Sequence, residues 1–269
     1  MIGHCGVAVA GAGQECPGGA GNVEAVQAHI EPSGHRTDPA VDGGSAEAGW
    51  PPMSRRHAIV FGLTGLAYLL VVVAVVLDTK LVELDWALKQ LRPYKRWPEV
   101  QPLLNVWIIA GQRGPSAIAA CAWLGWRCFR RRTLRPLLAM GVALLLLNIT
   151  VGGVKIVTGR LGPHYAHFLG SPELFSGGTI FPSGHTANAV VTWGVLAYLA
   201  ERWRRTGTLL ASFTAVSIGL TTVYLGTHWL SDVLAGWAAG ALVLLAMPLF
   251  EPLIAAADQR ITDLWRGAR

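Results

Sequence analysis

The stretch TTVYLGTHWLSDVLAGW (Thr221–Trp237) joins the last two apolar segments of this chain and carries its strongest functional signal. It places His228 and Asp232 four residues apart, where one apolar segment ends and the next begins. Residues at this spacing lie on one face of a helix, so the carboxylate can reach the imidazole. A second histidine, His185, precedes a different apolar segment within FPSGH. Two histidines and an acid at segment ends suggest a nucleophile, its orienting group and a general acid for phosphoryl transfer, although a polar pair capping a helix is the alternative for His228 and Asp232.

The composition indicates an integral membrane protein. Of the 269 residues, 52% are apolar and 14% are charged, whereas soluble domains carry about 25% charged residues. The net charge of +6 comes from basic clusters beside the apolar segments, so it indicates orientation in the bilayer and not a nucleic-acid partner. The four cysteines show no metal-binding spacing, and we expect no disulfide framework.

The chain divides into three predicted regions. Residues 1–52 are rich in Gly, Ala, Pro and acidic residues, a composition that cannot bury enough apolar surface to fold. This region is a disordered tail or is untranslated, because Met53, two arginines and an apolar run look like a natural start. The sequence leaves Met1 and Met53 open as starts. Residues 53–252 form the predicted membrane domain, and residues 253–269 form a predicted cytoplasmic tail.

The apolar segments predict an all-α, polytopic bundle of six transmembrane helices. We expect these spans at about Ala58–Leu77, Pro115–Phe129, Leu137–Val157, Thr186–Leu199, Leu209–Leu225 and Leu230–Leu249. A spanning helix needs about 20 apolar residues, so the shorter segments include flanking residues, and the second span can begin further back. A short amphipathic helix is predicted near Leu84–Leu91, between the first two spans.

Arginine clusters orient the predicted bundle. They lie before the first span, between the second and third, between the fourth and fifth, and after the sixth. With six spans all four clusters fall on one side, and positively charged loops stay in the cytoplasm. Both termini are therefore expected in the cytoplasm, and the segments that contain the candidate site residues are expected on the outer face.

Polar residues of the outer-face segments are functional candidates, because ionisable groups at membrane depth are costly. The set comprises Lys155, Arg160, His164, Ser183, His185, His228 and Asp232. Each has a structural alternative: Lys155 can snorkel to the interface, Ser183 can cap a helix, and the others can be ordinary loop or cap residues. A cap at Ser183 would itself support function, since a helix N-terminus offers free N–H groups to an anion.

Three segments taken together resemble the type 2 phosphatidic acid phosphatase superfamily of membrane lipid phosphatases, which is related to vanadium haloperoxidases. They are KIVTGRLGPH, FPSGH and VYLGTHWLSDVLAGW, and the usual family pattern is K-x6-R-P, PSGH and S-R-x5-H-x3-D. The resemblance covers about Ala58–Leu249 and implies a six-helix bundle with its site at the outer membrane face. PSGH alone is weak evidence, because it also occurs at Pro32–His35 in the tail.

The resemblance implies a role for each matching residue. His228 would attack phosphorus and form a phosphohistidine, and Asp232 would hold the reactive tautomer of its ring. His185 would protonate the leaving oxygen and then activate water. The implied phosphate ligands are Lys155, Ser183 and Gly184. No metal or organic cofactor is implied.

Both phosphate-binding arginines of the family pattern are absent. The corresponding positions are Gly162 and Thr222, and losing one donor to a developing oxyanion costs roughly 2.7–4 kcal/mol. One explanation is that Arg160, His164 or Arg113 substitutes. A second is a different substrate or acceptor, and a third is a non-catalytic binder. We favour the first two, because an inactive protein has little need for two histidines, an aspartate and a lysine together.

The sequence thus predicts a membrane phosphatase that acts on a lipid phosphomonoester or diphosphate. Polyprenyl diphosphate, phosphatidic acid and phosphatidylglycerol phosphate are the substrate types that the resemblance suggests. The alternatives are a lipid phosphotransferase on the same scaffold and a catalytically silent lipid-binding membrane protein. The sequence separates neither these lipids nor the oligomeric states.

Overall fold

The computed structural model describes residues 50–91, 93–166, 168, 173–200 and 203–267. The predicted tail, with its second PSGH copy, lies outside the described residues except for positions 50–52. The helices are α1 (Arg55–Val76), α2 (Lys80–Leu91), α3 (Pro93–Arg96), α4 (Gln101–Trp107), α5 (Arg113–Arg131), α6 (Arg135–Thr158), α7 (Gly184–Leu199), α8 (Arg204–Tyr224) and α9 (Leu230–Gly267). Two short 3₁₀ helices, Pro98–Val100 and Ile108–Gly111, flank α4.

Four helices in the described part of the chain are long and apolar enough to cross a membrane. They are α1, α6, α8 and the Leu230–Leu264 part of α9. The prediction of an all-helical, multi-pass membrane protein is confirmed, whereas the number of six crossings stays a prediction. The predicted amphipathic helix is α2, and the second predicted span, α5, does begin further back, at Arg113.

The last helix is much longer than predicted. Its expected end was Leu249, but α9 continues through Pro248 and Pro252 to Gly267. Proline is tolerated within membrane helices because neighbouring groups satisfy the freed backbone carbonyls. The residues predicted as a tail after position 252 therefore continue a helix, as far as Gly267.

The short helix α7 lies in the centre of the bundle, where it packs against α5, α6, α8 and α9. Its apolar residues Ala187, Val191 and Val195 are buried in the main core. At 1.5 Å per residue its 16 residues extend roughly 24 Å, less than the roughly 30 Å of a bilayer core. Helix α7 is therefore shorter than the apolar core of a bilayer, and His185 lies at its N-terminus.

Glycines allow α9 to approach α7 closely. A Cβ atom on Gly236 would lie 2.8 Å from the Ser183 carbonyl oxygen and 3.0 Å from Thr186 Cβ. One turn later, a Cβ on Gly240 would lie 2.7 Å from Val190 Cβ. The two histidine-bearing segments can approach this closely because both positions lack a side chain.

The described residues between α6 and α7 (159–166, 168 and 173–183) and helix α2 contact the start of α9. Gly159 ends α6 in the left-handed conformation, with φ 51°, which glycine adopts without strain. Val82 and Trp86 of α2 then pack against Ala166 and Trp229, with the two indole rings 5.4 Å apart. This apolar cluster fixes α2 beside the candidate site.

Candidate active site

Four helix ends meet at one pocket of about 330 Å³. The ends are those of α6 and the 3₁₀ helix before α5, together with the starts of α5 and α7, and the His228 segment completes the wall. The pocket is lined by Gly111, Gln112, Arg113, Lys155, Thr179, Ile180, Gly184, His185 and His228. Five of the predicted site residues, including both histidines, therefore face one cavity.

His228 is held by Asp232, though not on one helical face as predicted. Helix α9 begins at Leu230, so His228 precedes it. Asp232 Oδ2 accepts the Trp229 backbone N–H at 3.0 Å and lies 3.4 Å from His228 Nδ1. The His228 backbone N–H donates to the Thr222 carbonyl at 3.3 Å, across a turn at Gly226 with φ 71°. The Asp232 carboxylate thus orients the His228 ring through Nδ1. Nε2 is the ring nitrogen that does not contact Asp232.

His185 faces His228 across the pocket. The two ring centroids are 5.8 Å apart, and the rings are inclined by 69°. His185 lies outside the four spanning segments, in the first turn of α7. Burial, and then the positive charges of His228, Lys155 and Arg113, lower the pKa of His185 from 6.5 to about 4. Without a bound anion this imidazole is neutral at pH 7.

Ser183 caps α7, which confirms the predicted cap. Its buried Oγ accepts the Thr186 backbone N–H at 3.4 Å and the Thr186 hydroxyl at 2.9 Å. The Ser183 side chain therefore lies behind the pocket wall, whereas Gly184 lines it. The first two residues of α7, Gly184 and His185, line the cavity, and a helix start of this kind favours an anion.

Lys155 and Arg113 supply the positive charge of the pocket. Lys155 Nζ donates to the Thr179 carbonyl and, at 3.3 Å, to that of Ile180. Arg113 donates to Asn148 Oδ1 at 2.6 Å. A Cβ atom built on Gly184 would lie 3.6 Å from Arg113 Nη2 and 3.6 Å from Lys155 Cε. Both cations thus border the N-terminus of α7.

Arg160 lies elsewhere than predicted. We expected its guanidinium to point into the pocket, but it is buried, with 1% exposure, and is not among the residues that line the pocket. Its partners are the carboxylates of Asp85, Glu173 and Asp232 and the hydroxyl of Ser231. The correction has a physical reason: a buried guanidinium needs paired charges, and these carboxylates lie nearby.

Three of these partners were missed by the sequence reasoning. Asp85 lies on the buried face of α2 and Glu173 in the segment 159–183, while Ser231 is in the first turn of α9. Burial raises the pKa of Asp85 and of Glu173, and the Arg160 charge opposes that rise. The one sequence feature that could have indicated these contacts is Asp85, an aspartate on the apolar side of the predicted amphipathic helix. Among the residues that the structure describes, no His, Cys, Asp and Glu cluster is arranged to hold a metal ion.

His164, the remaining predicted substitute, does not line the pocket that contains Lys155 and Arg113. The positions of the two absent arginines, Gly162 and Thr222, do not line it either. His164 lines a separate, smaller cavity of about 50 Å³, which has His228 as a shared wall. Ile180 occupies the space beside Gly162, 3.0 Å from where a Cβ would lie. Thr222 is buried and its hydroxyl donates to the Gly219 carbonyl at 2.7 Å. Of the three suggested substitutes, Arg113 is the one that borders the pocket.

Part of the chain is similar to known proteins. Residues 136–254 match the PAP2 superfamily. The chain is 30% identical over 102 residues to a phosphatidylglycerophosphatase B of Bacillus subtilis, and 37% identical over 95 residues to a lipid A 1-phosphatase of Rhizobium johnstonii. These alignments cover 35% and 33% of this chain and 48% and 36% of those relatives, so the chain spans about half or less of their length.

The fold has a solved counterpart. The crystal structure of a transmembrane PAP2-type phosphatidylglycerolphosphate phosphatase from Bacillus subtilis matches with a TM-score of 0.54 at 24% identity. The match covers 75% of this chain and 96% of that protein. Residues 136–254, which contain both histidines, are thus similar to the PAP2 superfamily, and the fold is similar to that of the solved phosphatase.

Proposed function

We propose that this chain is a membrane phosphatase that hydrolyses a lipid phosphomonoester or diphosphate through a phosphohistidine on His228. The observation that carries the proposal is the placement of His185 and His228 on one pocket, 5.8 Å apart between ring centroids, with Lys155 and Arg113 beside them. Phosphoryl transfer uses a nucleophile, a proton donor and cations that stabilise the charge of the transition state.

In the first step His228 Nε2 forms a bond to phosphorus while the bond from phosphorus to the leaving oxygen breaks. The leaving oxygen is the lipid ester oxygen of a monoester or the bridging oxygen of a diphosphate. The Asp232 carboxylate near Nδ1 favours the tautomer with a free Nε2 lone pair and stabilises the positive ring that forms. His185 donates its proton to the leaving oxygen. A bound phosphate supports this role, because its negative charge offsets the cations that lower the pKa of His185.

In the second step His185, now neutral, accepts a proton from water. The water oxygen forms a bond to phosphorus as the phosphorus–nitrogen bond breaks. Inorganic phosphate leaves, and both imidazoles return to their starting states. The general acid of the first step is therefore the general base of the second.

Arg113 takes the place of the missing family arginines in this proposal. The phosphoryl oxygens would contact the Arg113 guanidinium, the Lys155 ammonium and the backbone N–H groups at the start of α7. The hydrogen bond from Arg113 to Asn148 fixes the guanidinium of this pocket-lining residue. Two cations and a helix N-terminus suit a dianionic phosphomonoester or a diphosphate.

The relatives and the predicted orientation support a lipid class. The two relatives are named for phosphatidylglycerol phosphate and lipid A as substrates, both of which carry phosphomonoesters on large lipids. With basic loops in the cytoplasm, the pocket opens at the outer leaflet. We therefore expect a phospholipid or polyprenyl phosphate whose head group lies at that surface.

Phosphate release by the purified protein in detergent tests the proposal. Phosphatidylglycerol phosphate, phosphatidic acid and a polyprenyl diphosphate are the substrates to compare, with His228→Ala as the control. We expect release from at least one lipid and none above background from His228→Ala. Equal release by both proteins contradicts the proposal, and product formation only after addition of a lipid or sugar acceptor identifies a transferase instead.

A further inference from the structure

We propose that Arg160 is a positioning residue that fixes Asp232, and through it His228, and that Asp85 of helix α2 holds Arg160 in place. The proposal rests on the proposed function of the His228 pocket. It gives a role to a buried ionic cluster, formed by Arg160, Asp85, Glu173 and Asp232, that the phosphate-binding pocket does not use.

Every N–H group of Arg160 is engaged. Nε donates to Glu173 Oε2 at 3.2 Å, and Nη2 donates to Glu173 Oε2 at 3.1 Å and to Asp85 Oδ2 at 3.0 Å. Nη1 donates to Ser231 Oγ at 2.7 Å and to Asp232 Oδ1 at 2.8 Å. A guanidinium has five N–H donors, so Arg160 retains none for a phosphate group.

The contact with Asp232 fixes the carboxylate from the side opposite the histidine. Oδ1 accepts from Arg160, while Oδ2 faces Trp229 N and His228 Nδ1. A carboxylate held at both oxygens cannot rotate away from the imidazole. Partners of this kind, which bind the group that binds the reacting residue, set its orientation and basicity.

Asp85 anchors the cluster from outside the bundle core. One of its oxygens accepts the Ser231 backbone N–H at 2.9 Å, and the other accepts the Ser231 hydroxyl and Arg160 Nη2. Asp85 therefore binds both Arg160 and the first turn of α9, which carries Asp232. Trp86, its neighbour on α2, packs against Trp229. Helix α2 is thereby part of the site, although it contributes no residue to the phosphate pocket.

The cluster also has more acids than bases. Three buried carboxylates surround a single guanidinium. Burial raises the pKa of Asp85 and Glu173, whereas Asp232 is the carboxylate that lies beside His228. A positive imidazolium ring forms on His228 when it becomes phosphorylated. Negative charge on its Asp232 side stabilises that ring, which gives the cluster an electrostatic effect in addition to its positioning effect.

A double-mutant cycle separates positioning from phosphate binding. Arg160→Gln, Asp232→Asn and the double variant are compared with wild type for kcat, KM and inhibition by inorganic phosphate. We expect Arg160→Gln to lower kcat by roughly 10- to 100-fold and to leave the phosphate inhibition constant unchanged. In the Asp232→Asn background the same change should add little further loss, because residues that act as one unit are non-additive.

Two further variants sharpen the cycle. Arg160→Lys keeps the charge but cannot bind all of its partners, so kcat should lie between wild type and Arg160→Gln. Arg135→Gln breaks the Arg135–Glu251 ion pair at the other end of α6 and controls for a loss of stability without loss of kcat in the folded protein. Multiplicative losses in the cycle, or a weaker phosphate inhibition constant in Arg160→Gln, overturn the proposal.

A second readout keeps this inference separate from the phosphatase assignment. If wild type releases no phosphate from any lipid, the assignment fails, but the nucleophilicity of His228 can still be measured. The probe is diethyl pyrocarbonate, with carbethoxylation of His228 followed by peptide mass spectrometry. We expect Arg160→Gln and Asp232→Asn to slow that reaction to the same extent. A wild-type rate in Arg160→Gln overturns the positioning role.

Discussion

The backbone N–H of Ser183 donates to the carbonyl oxygen of Asp232 at 2.9 Å. This bond joins the residue that caps α7 to the acid that orients His228. The starts of α7 and α9 therefore form one unit, and the separation of the two histidine rings depends on it. Any change that moves α9 away from α7 should disturb the site before it disturbs the rest of the bundle.

A substitution at Gly236 tests this dependence. In Gly236→Val the new Cβ would lie 2.8 Å from the Ser183 carbonyl oxygen, so α9 must move away from α7. We expect a loss of stability of about 1–3 kcal/mol from overpacking, together with a larger relative loss of phosphate release. Thermal unfolding and phosphate release measured on the same samples check both effects.

Gly141→Ala is the matched control for that experiment. Gly141 lies within α6 with no atom within 4 Å of a built Cβ. Alanine in a helix interior is more favourable than glycine by roughly 0.5–1 kcal/mol, so this variant should be as stable as wild type or slightly more so, with full activity. Equal loss of activity in both glycine variants would show that the contact between α7 and α9 is not what sets the site.

Arg113 should be needed for phosphate binding. Arg113→Ala removes a charged donor from the pocket, and we expect a loss of roughly 10²- to 10³-fold in kcat/KM together with weaker inhibition by inorganic phosphate. Asn148→Ala should produce a smaller loss in the same direction, because Asn148 holds the guanidinium. Arg130→Ala, at the other end of α5, serves as the control and should retain wild-type kinetics.

Three residues of the pocket were predictable because each belongs to a short motif at the end of an apolar segment. The cavity is lined by His185, His228 and Lys155. The apolar segments of the sequence predict the helices at whose ends these residues lie. The wrong orientation of Arg160 has a different origin. Its partner Asp85 is 75 residues away in the chain, and nothing in the local pattern indicates that α2 folds back onto the start of α9.

The use of Arg113 in place of the two absent family arginines shows the same limit of prediction from sequence. Sequence counting identifies Gly162 and Thr222 as lost positions but cannot rank the possible substitutes. The ranking depends on how closely α5 approaches the start of α7 in the folded protein. The buried side-chain amide of Asn188 fixes that approach. Its Nδ2 donates to the Gly111 carbonyl at 3.1 Å and to Ser116 Oγ at 2.8 Å. Polar contacts between residues far apart in the chain leave no periodic pattern in the sequence.

The titration of His185 should report the charge of the pocket. Burial and the neighbouring cations hold its pKa at about 4, so in the protein without a bound anion the ring is neutral above that pH. Added inorganic phosphate favours the charged ring, and we expect the pKa to rise. Histidine ¹⁵N chemical shifts followed against pH, with and without phosphate, measure this change.

Two variants assign and explain that titration. His185→Gln should remove the low titration from the spectrum, which identifies the signal. Arg113→Ala should raise the pKa of His185 without any phosphate, because one of the cations that lower it is gone. An ordinary titration near pH 6.5 in wild type, unchanged by phosphate, would contradict the assignment of the pocket as an anion site.

Restoring the arginine of the family pattern should not improve the proposed activity. In Gly162→Arg the new side chain meets Ile180, whose Cγ1 lies 3.0 Å from the Cβ position, so overpacking should destabilise the protein by about 1–3 kcal/mol with no gain in kcat/KM. The double variant Gly162→Arg with Ile180→Ala makes room for the guanidinium, and we expect it to recover stability and to strengthen inhibition by inorganic phosphate. Ile180→Ala alone is the control. A rise in kcat/KM from Gly162→Arg by itself would mean that the space beside position 162 opens to the phosphate without displacement of Ile180.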